Sequence, residues 1–312
     1  MTANGPRIGV LRGRENSFPD AFIAKVNAAG KGVSAEFVQL GGTRLNEPVP
    51  YRVILDRMSH EVPYYAVYLK MAALQGVYCV NNPFWRSADD KFFGYAAAEK
   101  LGIGEPKTVV LPNRSYVDDV TAESLRNLWP VDFSMYLEQV GVPCIMKPAF
   151  GGGWKSVHKI HSLDELLHHY NESGTLTMML QEFVEWDTYV RVPTIGRRHA
   201  RAIRYDPAPG GMGVYDQDYE ALPRALRDQA EELAIRLNVA LGYDMNAVEF
   251  AVKDGRFYGI DLTNYTPDLD YRSLKDAHFP WAVEKMAAFA TEKALAKTKP
   301  PATPDWKALL VG

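Results

Sequence analysis

Cysteine is almost absent from this chain of 312 residues, which contains only Cys79 and Cys144. Each lies in a short apolar run that is typical of a buried strand. Two such residues are too few for a disulfide framework or a cysteine-rich zinc site. Both are therefore expected to be buried thiols in a reducing compartment.

Long apolar runs and an excess of one charge are also missing. No stretch reaches the roughly 18 apolar residues that a membrane span requires. The first residues, MTANGPRIGV, lack the charged start and apolar run of a secretory signal. Lysine and arginine number 35 against 38 aspartates and glutamates, which gives a net charge of −3. This balance argues against nucleic acid or an anionic membrane as a partner, and we expect a cytoplasmic protein.

Short apolar strands alternate with helical segments at the start of the chain. Strands are predicted at residues 7–11, 34–40, 51–55 and 77–80, and helices at 19–29 and 62–74. This alternation predicts a parallel sheet that binds ligands beyond the C-terminal ends of its strands. Polar residues follow the first and third strands, and loop positions of this kind often carry binding groups. The other interpretation is solvated turns with capping side chains.

The segment from Ala247 to Asp270 carries carboxylates inside apolar strands. Its pattern predicts a hairpin with Glu249 on the first strand and Asp261 on the second. Buried carboxylates need compensation, and a hard cation such as Mg²⁺ supplies it. The hairpin is therefore a candidate magnesium site, with an edge hairpin of solvated acids as the alternative.

Strand register decides whether these two carboxylates can share a metal ion. A two-residue Asp254-Gly255 turn would put Glu249 and Asp261 on opposite faces, because side chains alternate along a strand. A three-residue loop that begins at Lys253 would place both on one face. We predict the three-residue loop, which has glycine at its last position.

Groups suited to phosphate lie upstream of this hairpin. Lys91 falls in the first turn of a helix predicted at 87–101, where a bound anion would compensate its unfavourable position against the helix dipole. Lys147 ends an apolar strand before the glycines at 151–153, whose N–H groups can approach phosphate closely. Arg191 and Arg204 lie inside predicted strands and need partners, for which phosphate is suited.

Four histidines lie close together in the middle of the chain, at His158, His161, His168 and His169. Their spacing is not that of a known zinc motif, and no cysteine accompanies them. Solvated histidines are therefore the expectation.

The order of these features resembles the ATP-grasp carboxylate–amine ligases. The matching segments are NNPFWRSADDKFFGYAAAEKLGIGEPKTV, MKPAFGGGWKSV, LQEFVEWDTYVRV and VEF…DGRFYGIDLTNYTPDLD, which together span about residues 80–270. The resemblance is nearest to the branch of ribosomal-protein glutamate ligase and bacterial glutathione synthetase. It implies an α/β fold that is α+β in the ATP-binding half, preceded by a parallel α/β domain.

The resemblance also implies a domain plan. An N-terminal α/β domain would cover residues 1–86, and a central lid subdomain with its leading helix would cover 87–184. A C-terminal ATP-grasp subdomain would cover 185–297, and residues 298–312 would form a tail. The first 80 residues match only the general character of the family.

Site residues carried over from the family fall into four groups. ATP would be bound by two lysines, a glycine lid, a hinge at the adenine and a carboxylate at the ribose: Lys91, Lys147, Gly151, Gly152, Gly153, Gln181, Glu182, Phe183, Val184 and Asp187, or Glu185 in place of Asp187. Catalytic charge neutralisation would come from Arg191 and Arg204. Magnesium, normally two ions and with manganese as a possible replacement, would be held by Glu249, Asp261 and Asn264. Candidate substrate contacts are Arg14, Asn16, Asp56, Arg57, His60, Tyr64, Asp268, Asp270 and Arg272.

Two positions depart from the family pattern. The last two metal ligands are usually separated by one residue, whereas two residues separate Asp261 from Asn264. Alternation then turns Asn264 to the wrong face unless a bulge intervenes. The family also usually has an acidic residue two positions before Arg191, where this chain has Tyr189.

The function implied is ATP-dependent formation of an amide or peptide bond through an acyl phosphate on a small amino-acid-like or peptide-like substrate. Its partners would be a carboxylate and an amine, with a homodimer possible. The alternatives are a nucleotide-binding regulatory or scaffold protein on a decayed ATP-grasp fold, which the spacing of Asn264 favours, and another ATP-grasp chemistry such as carboxylation or kinase activity.

Overall fold

Three β-sheets organise the chain, and the computed structural model describes residues 5–86, 90–207 and 213–297. The strands are β1 Arg7–Leu11, β2 Ser34–Phe37, β3 Val53–Asp56, β4 Tyr78–Val80, β5 Thr108–Val110, β6 Cys144–Pro148, β7 His158–Ile160, β8 Met178–Glu182, β9 Thr188–Ile195, β10 His199–Ala200, β11 Ile203–Asp206, β12 Val214–Tyr215, β13 Met245–Lys253 and β14 Arg256–Asn264. The helices are α1 Ser17–Ala28, α2 Pro63–Leu74, α3 Pro83–Arg86, α4 Lys91–Lys100, α5 Phe133–Val140, α6 Leu163–Glu172, α7 Arg224–Leu241 and α8 Tyr271–Leu295, with a 3₁₀ turn at Tyr219–Ala221. Among the described residues, no helix combines the length and the apolar character needed to cross a membrane.

The first sheet is parallel, as predicted, with strand order β2-β1-β3-β4. Its apolar residues, such as Ile8 and Val10, pack in one core with Phe22 of α1 and with Met286 and Phe289 of α8. The same core includes residues of β9, β11 and β13. Helix α8 therefore lies between the first sheet and the C-terminal sheet.

The central sheet is antiparallel, with order β5-β8-β6-β7. Helices α5 and α6 pack on it around a separate core that includes Met146, Leu166 and Leu180. Since the strand β8 ends at Glu182 and β9 begins at Thr188, a short connection leads directly from this sheet to the next.

The C-terminal sheet is also antiparallel, with order β12-β11-β9-β13-β14 and β10 beside β9. Helices α4 and α7 cover one of its faces, where Val190, Val248 and Phe250 are buried against Ala98 and Leu237. The lid subdomain predicted at residues 87–184 includes α4 as its leading helix, and α4 contacts β14 and α7. The domain plan stays a prediction.

Helix α4 begins later than predicted. The predicted start at residue 87 lies outside the described residues, and the helix starts at Lys91. Asp90 caps it, because its carboxylate accepts a hydrogen bond from the backbone N–H of Phe93 at 2.7 Å. The backbone N–H of Lys91 donates to the carbonyl of Ala149 at 3.1 Å, which ties the start of the helix to the end of β6.

The hairpin turn differs from the prediction. Lys253 pairs with Arg256, so the turn has two residues and the predicted three-residue loop is wrong. Asp254 and Gly255 both have positive φ, at 49° and 74°. This is the turn in which Asp-Gly is strongly preferred, so the sequence did contain the signal.

Asn81 joins the first sheet to the C-terminal sheet. Its side-chain amide donates to the carbonyls of Met245 at 2.7 Å and Tyr265 at 2.9 Å. Its oxygen accepts from the backbone N–H groups of Asp244 at 2.7 Å and Met245 at 2.8 Å. All four hydrogen-bonding positions of this buried side chain are thus used.

We expect Asn81→Ala to lower the free energy of unfolding by at least about 2 kcal/mol, because it leaves buried backbone groups without partners. Urea unfolding followed by circular dichroism measures this. Asn113→Ala is the control, since the Asn113 side chain donates to the carbonyl of Thr175 in an exposed bond and accepts from the hydroxyl of Thr177 at 2.8 Å, but pairs with no buried backbone group among the described residues. Equal losses in the two variants would contradict the role assigned to Asn81.

Candidate active site

One face of the C-terminal sheet carries a row of charged side chains. Glu249 of β13 lies opposite Arg191 of β9 and opposite Asp261 of β14. Residues directly opposite each other on neighbouring strands point to the same face. The row lies on the face away from α7, whose helix covers Val190 and Val248.

Two register shifts in β14 create this arrangement. The two-residue turn by itself would place Glu249 opposite Ile260. A register shift between Glu249 and Phe250 places Glu249 opposite Asp261. The shared face predicted for the two carboxylates is thus observed, although a bulge and not the predicted loop produces it.

The second shift concerns Asn264, which lies opposite Ala247. Ala247 and Glu249 are two residues apart and therefore share a face. The register consequently brings Asn264 to the face of the two carboxylates. The register shift between Ala247 and Glu249 accommodates the extra residue between Asp261 and Asn264. That extra residue was the observation that favoured a decayed ATP-grasp fold.

Each carboxylate in the row is held by buried polar groups. Arg191 Nη1 lies 2.8 Å from Glu249 Oε1, and the hydroxyl of Tyr189 donates to Glu249 Oε2 at 2.7 Å. Lys91 Nζ lies 2.7 Å from Asp261 Oδ1. Burial acts to raise the pKa of Asp261, but Lys91 and Lys147 outweigh it and hold this pKa below its ordinary value. Asp261 is therefore an anion at neutral pH.

Lys147 lies beside this row. Its ammonium group donates to the hydroxyl of Tyr95 at 2.9 Å and to the carbonyl of Ile260 at 3.0 Å. Burial lowers the pKa of Lys147, while Asp261 and Glu249 oppose that effect. Tyr95 follows Lys91 by four residues on α4, so one helical face presents both to β14. The sequence analysis did not single out Tyr95.

These groups fit a magnesium-bound polyphosphate. Two carboxylates and an amide oxygen on one face are hard ligands of the kind that Mg²⁺ prefers. The two lysines and Arg191 supply positive charge beside them. Arg191 Nε is also buried and has no hydrogen-bond partner among the described residues. An anionic oxygen would satisfy this donor.

The predicted glycine lid lies between β6 and β7 and is exposed. Gly151 and Gly153 have φ values of 89° and 73°, which favour glycine. A side chain added at Gly152 would meet nothing within 4 Å. Phe150 and Trp154, which flank the glycines, are 60% and 42% exposed. The loop therefore has little packing to hold it, although lid motion stays a prediction.

The predicted adenine hinge connects the central sheet to the C-terminal sheet. Gln181 is buried at the end of β8, and its amide donates to the hydroxyl of Thr108 at 3.0 Å. Glu182 accepts from the backbone N–H of Lys107 at 3.1 Å. Phe183 and Val184 follow, with the ammonium group of Lys159 3.8 Å from the centroid of the Phe183 ring.

Asp187, the predicted ribose ligand, is tied to the hairpin turn. Its carboxylate lies 2.9 Å from Lys253 Nζ and accepts from the backbone N–H of Asp254 at 2.8 Å. Glu185, the alternative, is exposed. The role of either residue at the ribose stays a prediction.

Arg204 does not join the charged row. It lies opposite Val190, whereas Arg191 lies opposite Ile203, so the two arginines point to opposite faces of the sheet. The side chain of Arg204 is 58% exposed and pairs with Asp216 at 3.1 Å. The strand pattern alone could not separate the two arginines, because the pairing of β11 with β9 decides the face.

Two of the predicted substrate contacts in the first domain have structural partners. Asp56 is buried, and its carboxylate accepts from the backbone N–H groups of Met58 at 3.1 Å and Ser59 at 2.9 Å. The buried guanidinium of Arg57 pairs with Glu15 and donates to the carbonyl of Pro267 at 2.6 Å. Arg57 thereby connects the first sheet to the loop after β14.

The remaining N-terminal candidates lie nearer the surface. Arg14 pairs with Glu61, and Asn16 accepts from Arg12. The ring of His60 lies 6.2 Å from that of Tyr265, centroid to centroid, and Tyr64 bonds to the loop before β3.

The acids after the hairpin cap helix α8. Asp270 accepts from the backbone N–H of Arg272 at 2.9 Å and from its Nε at 3.1 Å. Asp268 accepts from the backbone N–H of Asp270 at 2.8 Å and from the hydroxyl of Ser273. Asp268 and Asp270 are thus used as turn and cap residues, so Asp268, Asp270 and Arg272 have local structural partners.

Glu105 is a site residue that the sequence analysis missed. Both of its carboxylate oxygens are buried and have no hydrogen-bond partner among the described residues. Burial raises the pKa of Glu105 to about 9, although Lys147 lowers it in part. Gly259 makes room for it, since a Cβ there would lie 3.0 Å from Glu105 Oε1. An acid before a proline in a connector gives no signal that could have identified it.

The fold is that of the ATP-grasp proteins, as the sequence predicted. The D-alanine–D-alanine ligase from Bacillus anthracis superposes with a TM-score of 0.63 at 17% identity, covering 93% of this chain and 98% of that one. The RimK-domain ATP-grasp protein from Sphaerobacter thermophilus superposes with a TM-score of 0.62 at 20% identity, covering 91% and 99%.

Sequence similarity to curated proteins covers a smaller region. The chain is 29% identical over 136 residues to the formate-dependent phosphoribosylglycinamide formyltransferase of Hydrogenovibrio crunogenus, and 26% identical over 154 residues to pyruvate carboxylase 1 of Caenorhabditis elegans. These matches cover 39% and 41% of this chain but only 34% and 12% of the respective relatives. No model of a known protein family matches the chain.

We expect Arg57→Ala to lower the free energy of unfolding by about 3–5 kcal/mol, because it leaves buried Glu15 without its partner. Arg14→Ala is the matched control. The Arg14 side chain is 74% exposed, and its pair with Glu61 should contribute about 1 kcal/mol at most. Denaturant unfolding of both variants checks this. A loss for Arg57→Ala no larger than that for Arg14→Ala would refute the connecting role.

Glu105 should make the folded protein less stable as pH rises. Its folded pKa of about 9 exceeds its ordinary value of 4.5, so the folded state binds the proton more tightly. The stability contributed by the neutral acid is present below pH 4.5 and is lost between pH 4.5 and 9. We expect Glu105→Gln to become progressively more stable than the wild type across this interval, by up to about 1.4 kcal/mol per pH unit.

Unfolding free energies of wild type and Glu105→Gln at pH 6 and pH 8.5 measure this difference. Glu138→Gln, an exposed change on helix α5, serves as the control. A difference between Glu105→Gln and wild type that is independent of pH would mean that Glu105 is ionised in the folded protein throughout the range.

Proposed function

We propose that the chain is an ATP-dependent carboxylate–amine ligase that releases ADP. The observation that carries this proposal is the convergence of Arg191, Glu249 and Asp261 in one row with Lys91 and Lys147 beside it. The likeness in fold to D-alanine–D-alanine ligase supports it.

The proposed reaction has two steps. A carboxylate oxygen of one substrate attacks the γ-phosphorus of ATP, and the bond from that phosphorus to the β–γ bridging oxygen breaks, which yields ADP and an acyl phosphate. The amine of the second substrate then attacks the acyl carbon and loses a proton, and inorganic phosphate leaves. The product is an amide.

Charge neutralisation is the main demand of the first step, because both reacting groups are anionic. Lys91 and Lys147 would bind phosphate oxygens, and Arg191 would bind the transferred phosphoryl group through its unpartnered Nε. Glu249, Asp261 and Asn264 would hold Mg²⁺, which supplies further positive charge when bound.

Water must be excluded from the acyl phosphate, since hydrolysis would waste it. The exposed loop at Gly151–Gly153 is suited to this task, because it lies next to Lys147 in the chain and has little packing of its own. The hinge at Gln181–Val184 would bind adenine through its backbone, and Asp187 or Glu185 would bind the ribose.

The finer features are proposed on the same basis. The substrates would be small and amino-acid-like or peptide-like, two magnesium ions would bind with manganese as a replacement, and a homodimer is compatible with the family. The names of the matched proteins include D-alanine, pyruvate and formate, and each of these small molecules carries a carboxylate group.

The test is ADP release in a mixture of amino acids and dipeptides, with hydroxylamine present to trap the acyl phosphate as a hydroxamate. We expect both products to require Mg²⁺ and to disappear in Asp261→Ala. ATP binding without ADP release for any component of the mixture would favour the regulatory alternative. A carboxylated or phosphorylated product by mass would favour another chemistry.

The two arginines should differ sharply in this assay. We expect Arg191→Ala to lower kcat by about 10²–10³, the usual cost of removing one group that stabilises developing charge. Arg204→Ala, on the other face of the sheet, should retain activity within a few-fold of the wild type. Similar losses in the two variants would mean that Arg204 reaches the reacting phosphoryl group.

A further inference from the structure

We infer that helix α6 carries a binding site for a divalent transition metal ion, formed by His168, His169 and Glu172. The inference rests on the geometry of these side chains and is independent of the proposed ligase function. The site lies on the central sheet, and none of its members belongs to the charged row of the C-terminal sheet.

The three ligand atoms already lie close together. His168 Nε2 and His169 Nδ1 lie 3.5 Å and 3.8 Å from Glu172 Oε2. All three atoms lie within 4.8 Å of one another. Zinc bonds of 2.0–2.2 Å in a tetrahedral arrangement would separate ligand atoms by roughly 3.4 Å, so only small side-chain movements are needed.

Solvation, which the sequence analysis expected for these histidines, does not explain His169. Its Nδ1 atom is buried and makes no hydrogen bond within the described part of the chain. The side chains of His168 and Glu172 are each 64% exposed, so the group is open to solvent on the other side. A buried imidazole nitrogen beside a carboxylate and a second imidazole is the arrangement that a metal ion would complete.

His158 of β7 supports the ring of His169. The two rings are stacked, with centroids 3.9 Å apart and planes 16° from parallel. The stacked ring restricts the orientation of the His169 ring. This is a positioning role, of the kind that second-layer residues have at metal sites.

The donor set selects the class of metal. Two imidazoles and a carboxylate suit Zn²⁺, Co²⁺, Ni²⁺ or Cu²⁺, whereas Mg²⁺ prefers oxygen ligands alone. Three protein ligands leave one tetrahedral position open for water or another ligand. The proposed magnesium ligands and this site therefore differ in chemistry as well as in place.

The test is a titration of the metal-free chain of 312 residues with Co²⁺. Excess Mg²⁺ is present to occupy sites whose ligands are all oxygen atoms. The visible absorption of histidine-bound Co²⁺ reports the site, and Zn²⁺ is then added as a competitor. We expect one equivalent of Co²⁺ per chain with this absorption and its loss on addition of one equivalent of Zn²⁺.

Substitutions identify which side chains bind the metal ion. We expect His169→Ala and Glu172→Gln each to weaken binding at least about tenfold, and His161→Ala, an exposed histidine outside the group, to leave binding unchanged. Glu172→Gln keeps the shape of an exposed side chain, so it tests the site even if His169→Ala fails to fold. Absence of one-equivalent binding in the wild type, or unchanged affinity in Glu172→Gln, would overturn the inference.

Discussion

Compensation of buried charge is the constraint on which the site depends. Glu249 and Asp261 are drawn from apolar strands, and each is stabilised by a cation: Arg191 for the first and Lys91 for the second. Removing Glu249 would leave the buried cation of Arg191 without this partner, which is costly. Removing Asp261 would do the same to Lys91, whose side chain is 14% exposed. The cations and anions therefore hold one another in place before any ligand binds, and the arrangement is preorganised for a charged ligand.

The sheets deliver these charges from distant parts of the chain. Lys91 opens helix α4, Lys147 ends a strand of the central sheet, and Arg191 lies in β9 of the C-terminal sheet. The short connection between β8 and β9 links the two sheets along the chain, and the hydrogen bond from Lys147 to the carbonyl of Ile260 links them in space. The groups at the site are thus contributed by both sheets of the ATP-grasp fold.

Several residues predicted to contact substrate have structural partners, and their contact with substrate stays a prediction. Asp56 closes a turn, Arg57 joins the first sheet to the loop after β14, and Asp270 caps α8. Polar groups at strand ends are typical of both binding sites and turns, and only their partners distinguish the two. Glu105 shows the opposite case, since the oxygens of an acid in an unremarkable connector are buried, and burial raises its pKa.

The sequence by itself determined the alternation of elements, the order of the four motifs and the identity of the charged residues in apolar strands, because these depend on local pattern and residue type. It also contained the Asp-Gly signal for a two-residue turn. Only the tertiary structure decided which face each charge occupies. The shifts in β14 bring Asp261 and Asn264 to the face of Glu249, and the pairing of β11 with β9 turns Arg204 away from it. Register and burial depend on contacts between residues far apart in the chain, so no local pattern could fix them.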